Sequence, residues 1–355
     1  MTGSSTATGL RSWLARCARE PGALSLLVTL SLFVALSLLG GLRYEGFLTP
    51  QVFLNLLIDN AFLLVVAVGM TFVILTGGID LSVGAVVAFT TVLLATLVER
   101  AGWHPLTAMA LALGVGTAFG AAMGTMIQRY RLPPFVVTLA GMFLARGAAT
   151  LISVDSIGMH NGFQMALAGL RIPLGGASLS AGAVIAVLVV AIAALVARST
   201  QFGRTVYAIG GSEQSAALMG LPVASTIVRV YALSGFCAAL AGVLYTVYML
   251  SGYSLHATGL ELDAIAAVVI GGTLLSGGSG QVLGTLFGVL VLGLTQTLIA
   301  FDGTLSSWWT RIVIGLLLLL FCLMQRLLAR RQRMVLQQKA TVAQAAPPGA
   351  VSRRP

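Results

Sequence analysis

Charge is scarce in this chain. Only 8% of its 355 residues are Asp, Glu, Lys or Arg, against about a quarter in an ordinary soluble domain. A water-soluble fold of this size could not cover its surface with so few charges. Lysine is nearly missing: Lys339 is the only one, and Ala340 follows it. A phosphate-binding loop needs Lys followed by Ser or Thr after a Gly-rich run, so the chain carries no nucleotide motor. The three cysteines, Cys17, Cys237 and Cys322, form no CxxC pair. That excludes a zinc knuckle or a disulfide framework and leaves them as packing residues. His104, His160 and His256 fall in three separate loops, without HExxH spacing, and no GxSxG elbow occurs. The chain is therefore read as no enzyme and as holding no metal.

What it has instead is apolar length. Hydrophobic residues make up 58% and the mean hydropathy is +0.99. Apolar runs cover 23–42, 53–75, 83–98, 106–127, 134–153, 179–197, 228–250, 262–275, 282–300 and 309–327. A membrane-spanning helix needs about 20 apolar residues, so the expected fold is an all-α membrane protein of about ten transmembrane helices. The first run is longer than a signal-peptide core and no cleavage site ends it, so it is read as an uncleaved helix. The expected division is a cytoplasmic segment 1–23, a transmembrane domain 24–327 and a basic, disordered tail 328–355.

The net charge of +10 has a membrane explanation, and no nucleic-acid partner is indicated. With both termini placed in the cytoplasm, Arg11, Arg16, Arg19, Arg129, Arg131, Arg198, Arg204, Arg326 and the remaining tail arginines with Lys339 lie inside. Glu45, Glu99, Asp155, Glu261 and Asp302 lie outside. That asymmetry follows the positive-inside rule. The basic tail can also meet anionic membrane lipid.

Two segments look alike: GGIDLSVG at 77–84 and GGTLLSGG at 271–278. Gly-rich breaks at matching positions of two halves point to the transport path or its gate in carriers, although glycines also simply permit turns. The longest inner loop, 198–227, offers Ser212 as a helix cap with Glu213 at the positive helix end, and Gly220 and Pro222 as stops. A short helix near 213–219 on the cytoplasmic face suits docking into a partner's groove. It could equally lie on the membrane surface without a partner.

Three long blocks carry a resemblance. AVGMTFVILTGGIDLSVGAVVAF at 67–89, FGRTVYAIGGSEQSAALMG at 202–220 and GLELDAIAAVVIGGTLLSGGSGQVLGTLFG at 259–288 resemble the permeases of sugar ABC importers of the ribose, xylose and galactose group. LIDNAFLLVVAVGMTF at 57–72 and FDGTLSSWW at 301–309 resemble the galactofuranose-type branch. The resemblance implies an inner-membrane pathway for a monosaccharide, with ATP and Mg used by a separate cytoplasmic ABC ATPase. It also implies a periplasmic sugar-binding protein and a second, different permease chain, hence a heterodimer. An ion-gradient-driven secondary sugar carrier is the alternative, and it would need more ionisable residues at mid-membrane than this chain has.

The resemblance further implies that Gly203, Tyr207, Gly210, Gly211, Ser212, Glu213, Ala217, Met219 and Gly220 couple the chain to the ATPase. Ser212 stands where such permeases often carry Asn. Asp59, Asn60, Gly77, Gly78, Asp80, Ser82, Asp263, Gly271, Gly272 and Gln296 are the candidates for pathway or gate, because polar groups in a bilayer are costly and usually face protein or water. Asp59, Asn60 and Gln296 could hydrogen-bond a sugar, and Trp308 or Trp309 could offer it a ring face or anchor the interface. An Asp263–Arg146 ion pair is a further expectation. The binding protein is expected to dock on 43–52, 154–178 and 251–261. Alternating access would follow from ATP-driven closure acting on the 213–219 helix.

Overall fold

The computed structural model describes residues 21–345 apart from 305 and 307, with side chains from 26 to 327. Residues 1–20 with Cys17, and 346–355, lie outside the described residues. Helix α1 (Pro21–Arg43) is followed by α2 (Pro50–Asp59) and α3 (Ala61–Leu75). Pro50 opens α2 after an extended Thr49. Asn60 leaves the helical region at φ −109°, and α2 and α3 bend by 58° around it. The run 53–75, expected as one span, is thus a broken one.

A non-helical segment, 76–82, leads to α4 (Val83–Ala95), which widens into a π turn over Thr96–Arg100. Then come α5 (Pro105–Tyr130), capped by the His104 imidazole, and α6 (Pro134–Ile152). The outer loop after α6 holds strand β1 (Ile157–Gly158), α7 (Gly162–Gly169) and the hairpin β2 (Arg171–Leu174) and β3 (Ala177–Ser180). Next follow α8 (Ala181–Ser199), α9 (Gln201–Gly211), α10 (Glu213–Leu218) and α11 (Val223–Met249). The chain closes with β4 (Ser251–Gly252), α12 (Leu260–Ile270), α13 (Val282–Asp302) and α14 (Trp308–Ala345). The 328–345 stretch, expected to be disordered, continues α14.

Eight described helices are long and apolar enough to cross a membrane, or nine with the bent pair counted as one span. The remaining run, 262–275, is helical only as the 11-residue α12. At 1.5 Å per residue that is about 16 Å, half the hydrocarbon thickness of about 30 Å. Among the described residues the ten expected spans thus become up to nine candidate spans plus one short helix that continues as the non-helical segment 271–281.

The core is built from α3, α4, α11, α12 and α13. Residues Val65 to Leu75 and Ala264 to Ile270 are almost wholly buried, apart from half-buried Ile265. Helices α1, α5, α6, α8 and α14 form the rim and carry exposed leucines and phenylalanines such as Phe143, Leu144, Leu188 and Leu319. Without a hydrophobic drive between helices in lipid, small residues set the contacts. Gly116, Gly120 and Gly124 of α5 press against Ala239, Gly235, Tyr231 and Val228 of α11. Gly284 and Gly288 of α13 press against the carbonyls of Gly271 and Ala267. Thr71 and Thr285 share a buried hydroxyl–hydroxyl bond of 2.8 Å between α3 and α13.

Candidate coupling face and translocation path

The inner loop 198–227 folds into two helices. Thr200 caps α9 through a bond from the Gly203 N–H (3.1 Å). Ser212 caps α10, accepting from the Ser215 N–H at 3.2 Å. Glu213 lies in the first turn of α10, and Gly220, at φ +76°, ends the motif. Ala217, Leu218 and Met219 are exposed, Leu218 at 84% and Met219 at 67%, while Ala216 is buried. Helix α10 therefore hangs on one small anchor and presents an apolar tip. The sequence reading found α10 but missed α9. Its signal was there: Phe202, Val206 and Ile209 recur at i, i+4 and i+7 behind a Thr cap.

Helix α9 rests directly on the two Gly-rich segments, which the fold brings together. The Gly278 N–H donates to the Leu75 carbonyl at 2.9 Å. A Cβ at Gly277 would sit 2.8 Å from the Gly77 nitrogen and 3.1 Å from the Gly210 Cα. A Cβ at Gly210 would collide with the Leu75 carbonyl oxygen and with the Gly278 backbone. Gly77 and Gly278 hold φ values of +81° and +74°, where a side chain costs energy. The Tyr207 hydroxyl donates to the Gly280 carbonyl at 2.9 Å. Burial raises the Tyr207 pKa, opposed by Arg198, which keeps the phenol a donor. Phe202 stacks on Phe72 of α3, with ring centroids 6.0 Å apart.

Beside this junction Asp80 is fully buried. Its carboxylate accepts from the Ser82 N–H (2.9 Å), the Ser82 hydroxyl (2.6 Å) and the Ser234 hydroxyl of α11 (2.7 Å). The first Gly-rich segment is thereby tied to α11. Tyr231 of α11 lies against Gly78. A cleft of about 940 Å³ opens here between Gly77, Gly78, Arg131, Glu213, Ala217 and Tyr231.

At the opposite end of the bundle, a second cavity of about 560 Å³ gathers Asp263, Gln296, Trp308 and Arg311. It brings three sequence candidates together and adds Arg311. The Asp263–Arg146 ion pair does not form. Arg146 Nη1 instead donates to the backbone carbonyls of Ser254 (2.6 Å) and His256 (2.8 Å). Asp59 and Asn60 are not in this cavity. They sit at the α2–α3 break, where Asp59 accepts from the Tyr248 hydroxyl (3.1 Å) and Asn60 donates back to the Leu56 carbonyl (3.0 Å). Gly271 and Gly272 lie at the end of α12, where Gly271 packs on Gly284. The pathway candidates thus divide into an outer cavity, a bend and an inner junction.

The outer loops are tied into one surface. Gln51 bonds Ser178 in both directions (3.2 and 2.9 Å), and β1 pairs with β4 at Ile157–Gly252. Glu99 accepts from the His160 and Asn161 N–H groups (2.8 and 3.0 Å) at the start of α7. All three loops expected to receive a partner are held by these bonds.

A polytopic helical bundle with an exposed capped helix on its inner face and no motor of its own has the organisation of an importer's membrane subunit. Residues 52–322 match the family described as branched-chain amino acid transport system / permease component, and the chain belongs to that family. It is 52% identical over 296 residues, 83% of its length and 89% of the relative's, to the inner membrane ABC transporter permease protein YjfF of Escherichia coli K12. It is 40% identical to the fructose import permease protein FruG of Bifidobacterium longum, over 82% of this chain and 87% of that one. It is also 40% identical to the ribose import permease protein RbsC of Bacillus subtilis, over 81% and 88%. No solved structure matches it. The chain is a multi-pass inner-membrane transport component, not an enzyme.

Proposed function

We propose that this chain forms half of the translocation path of an ATP-driven monosaccharide importer, with α10 as the element its motor pushes. The observation that carries the reading is the capped, apolar-tipped α10, joined through α9 to both Gly-rich segments. A cytoplasmic ABC ATPase, using ATP and Mg, would take Leu218 and Met219 into a groove. A periplasmic sugar-binding protein would dock on the tied outer loops, and a second, non-identical permease would complete the path.

The outer cavity supports a sugar as cargo. Asp263 supplies acceptors, Arg311 donors, Gln296 both, and Trp308 an apolar ring face. Galactofuranose or a related sugar is the cargo favoured by the resemblance at 57–72 and 301–309. Alternating access then has a physical route. Movement of α10 shifts α9, and α9 shifts the inner ends of α3 and the 271–281 segment.

The test is uptake by proteoliposomes holding the complete complex. Labelled galactofuranose should accumulate with ATP and persist when the proton gradient is collapsed. Uptake of a branched-chain amino acid in place of any sugar, or uptake that follows the ion gradient without ATP, would contradict the proposal.

A further inference from the structure

We infer that Tyr207 is a positioning residue whose hydrogen bond to Gly280 makes the second Gly-rich segment move with α9, so that one stroke on α10 shifts both halves of the inner gate. The inference rests on reading α9–α10 as the ATPase-facing element. It adds the part that carries the motion.

Helix α9 touches the first half through Phe202 on Phe72 and through Gly210 on the Leu75 carbonyl. These are packing contacts with the inner end of α3, and α3 belongs to the buried core. Its grip on the second half differs in kind. Gly210 packs on Gly278, and the one side-chain hydrogen bond from α9 into 271–281 is Tyr207 to Gly280, at 2.9 Å. Packing pushes but does not pull, because dispersion contacts weaken steeply once a gap of half an ångström opens. A hydrogen bond resists separation along its axis and fixes direction. The 271–281 segment is also bonded to α3 by the Gly278 N–H and to α14 by Gln325 Nε2 on the Thr273 carbonyl (3.3 Å), so Tyr207 is its hydrogen bond to the α9–α10 pair. The segment is non-helical between α12 and α13, with positive φ at Gly272, Gly277, Gly278 and Gly280. Its own internal bonds are Leu274 N–H to Ser279 and Gly277 N–H to Leu274 (2.9 and 3.0 Å). A segment so constructed holds its shape while turning about its ends, and Tyr207 bonds it at one of them. The Gly278–Leu75 bond then closes a triangle of α9, α3 and 276–280.

The test uses the complete complex in a background where Cys17, Cys237 and Cys322 are serine, with single cysteines at Thr76→Cys or Ser276→Cys as reporters of the two segments. Maleimide labelling is compared without nucleotide and in the ATP-trapped state. Both reporters should change their labelling rate on trapping. In Tyr207→Phe, which keeps the ring, Thr76→Cys should respond as before and Ser276→Cys should respond less, the Gly278–Leu75 bond being the link that remains. Sugar moved per ATP should fall about fivefold, the worth of one net hydrogen bond. A Tyr207→Phe complex whose Ser276→Cys reporter and sugar-to-ATP ratio match wild type overturns the inference. If neither reporter responds even with Tyr207 present, or if deleting 213–218 leaves uptake coupled, the α9–α10 reading itself fails and takes this inference with it.

Discussion

The Gly278 N–H donates to the carbonyl of Leu75, the last residue of α3, at 2.9 Å. That carbonyl has no helical partner of its own, because α3 ends there. The second Gly-rich segment thus caps the helix that precedes the first one. Gly210 of α9 lies against both residues, which places α9 on the seam between the two Gly-rich segments.

The two neighbouring glycines of α9 separate in consequence. A Cβ at Gly210 meets backbone that cannot yield, whereas a Cβ at Gly211 meets nothing within 4 Å. Gly210→Ala should lower the unfolding stability in detergent by about 1–3 kcal/mol, as overpacking does, and abolish coupled uptake. Gly211→Ala should leave both near wild type. The sequence reading gave these glycines one shared role. The fold assigns the burden to the first.

Ser212→Ala removes the cap of α10, at a cost of about 1 kcal/mol. A six-residue helix has little else to hold it. ATP hydrolysis stimulated by loaded binding protein should fall, and Ser212→Asn should restore it, since Asn caps as well as Ser. Measuring hydrolysis in nanodiscs for the three forms checks this.

Asp80→Ala should be worse than Asp80→Asn. The alanine leaves the Ser82 and Ser234 hydroxyls and the Ser82 N–H without their acceptor in a fully buried site. Each such loss costs about 1–3 kcal/mol. Asn keeps an oxygen for part of that set. Thermal unfolding of the two variants should rank them so, and equal stability would remove Asp80 as the tie between the first Gly-rich segment and α11.

His256 gives a pH dependence. Burial first, and Arg146 second, lower its pKa below the ordinary histidine value. The folded chain therefore prefers the neutral ring, while the unfolded chain takes up a proton near pH 6.5. The unfolded state binds more protons, so stability should fall as pH drops through about 6.5 and below. Unfolding temperatures between about pH 8 and 5 should show this loss, and His256→Asn should flatten it.

Much of the bundle was legible because the bilayer enforces long apolar runs and a charge asymmetry. The cap at Ser212 and the stop at Gly220 were readable for the same local reason: both satisfy or break a helix end within a few residues. Asn60 was seen as a polar residue in a span, but a helix break depends on where its side chain turns, here back to Leu56. Helix α12 looked like a full span because apolar residues continue past Ile270, while Gly271 and Gly272 end the helix first. Arg146 could not be assigned from sequence, since its partners are backbone carbonyls of a distant loop. The meeting of 77–84 with 271–278 was invisible along the chain, although their likeness hinted at it.

The most direct measurement is cysteine labelling at Leu218→Cys, 84% exposed on α10, in a background free of other cysteines. A membrane-impermeant maleimide should modify it in inside-out vesicles, fail to reach it in right-side-out vesicles, and be blocked when the ATPase subunit is assembled. Labelling from the periplasmic side, or labelling unaffected by the ATPase, would contradict the proposal that this helix takes the stroke of an external motor.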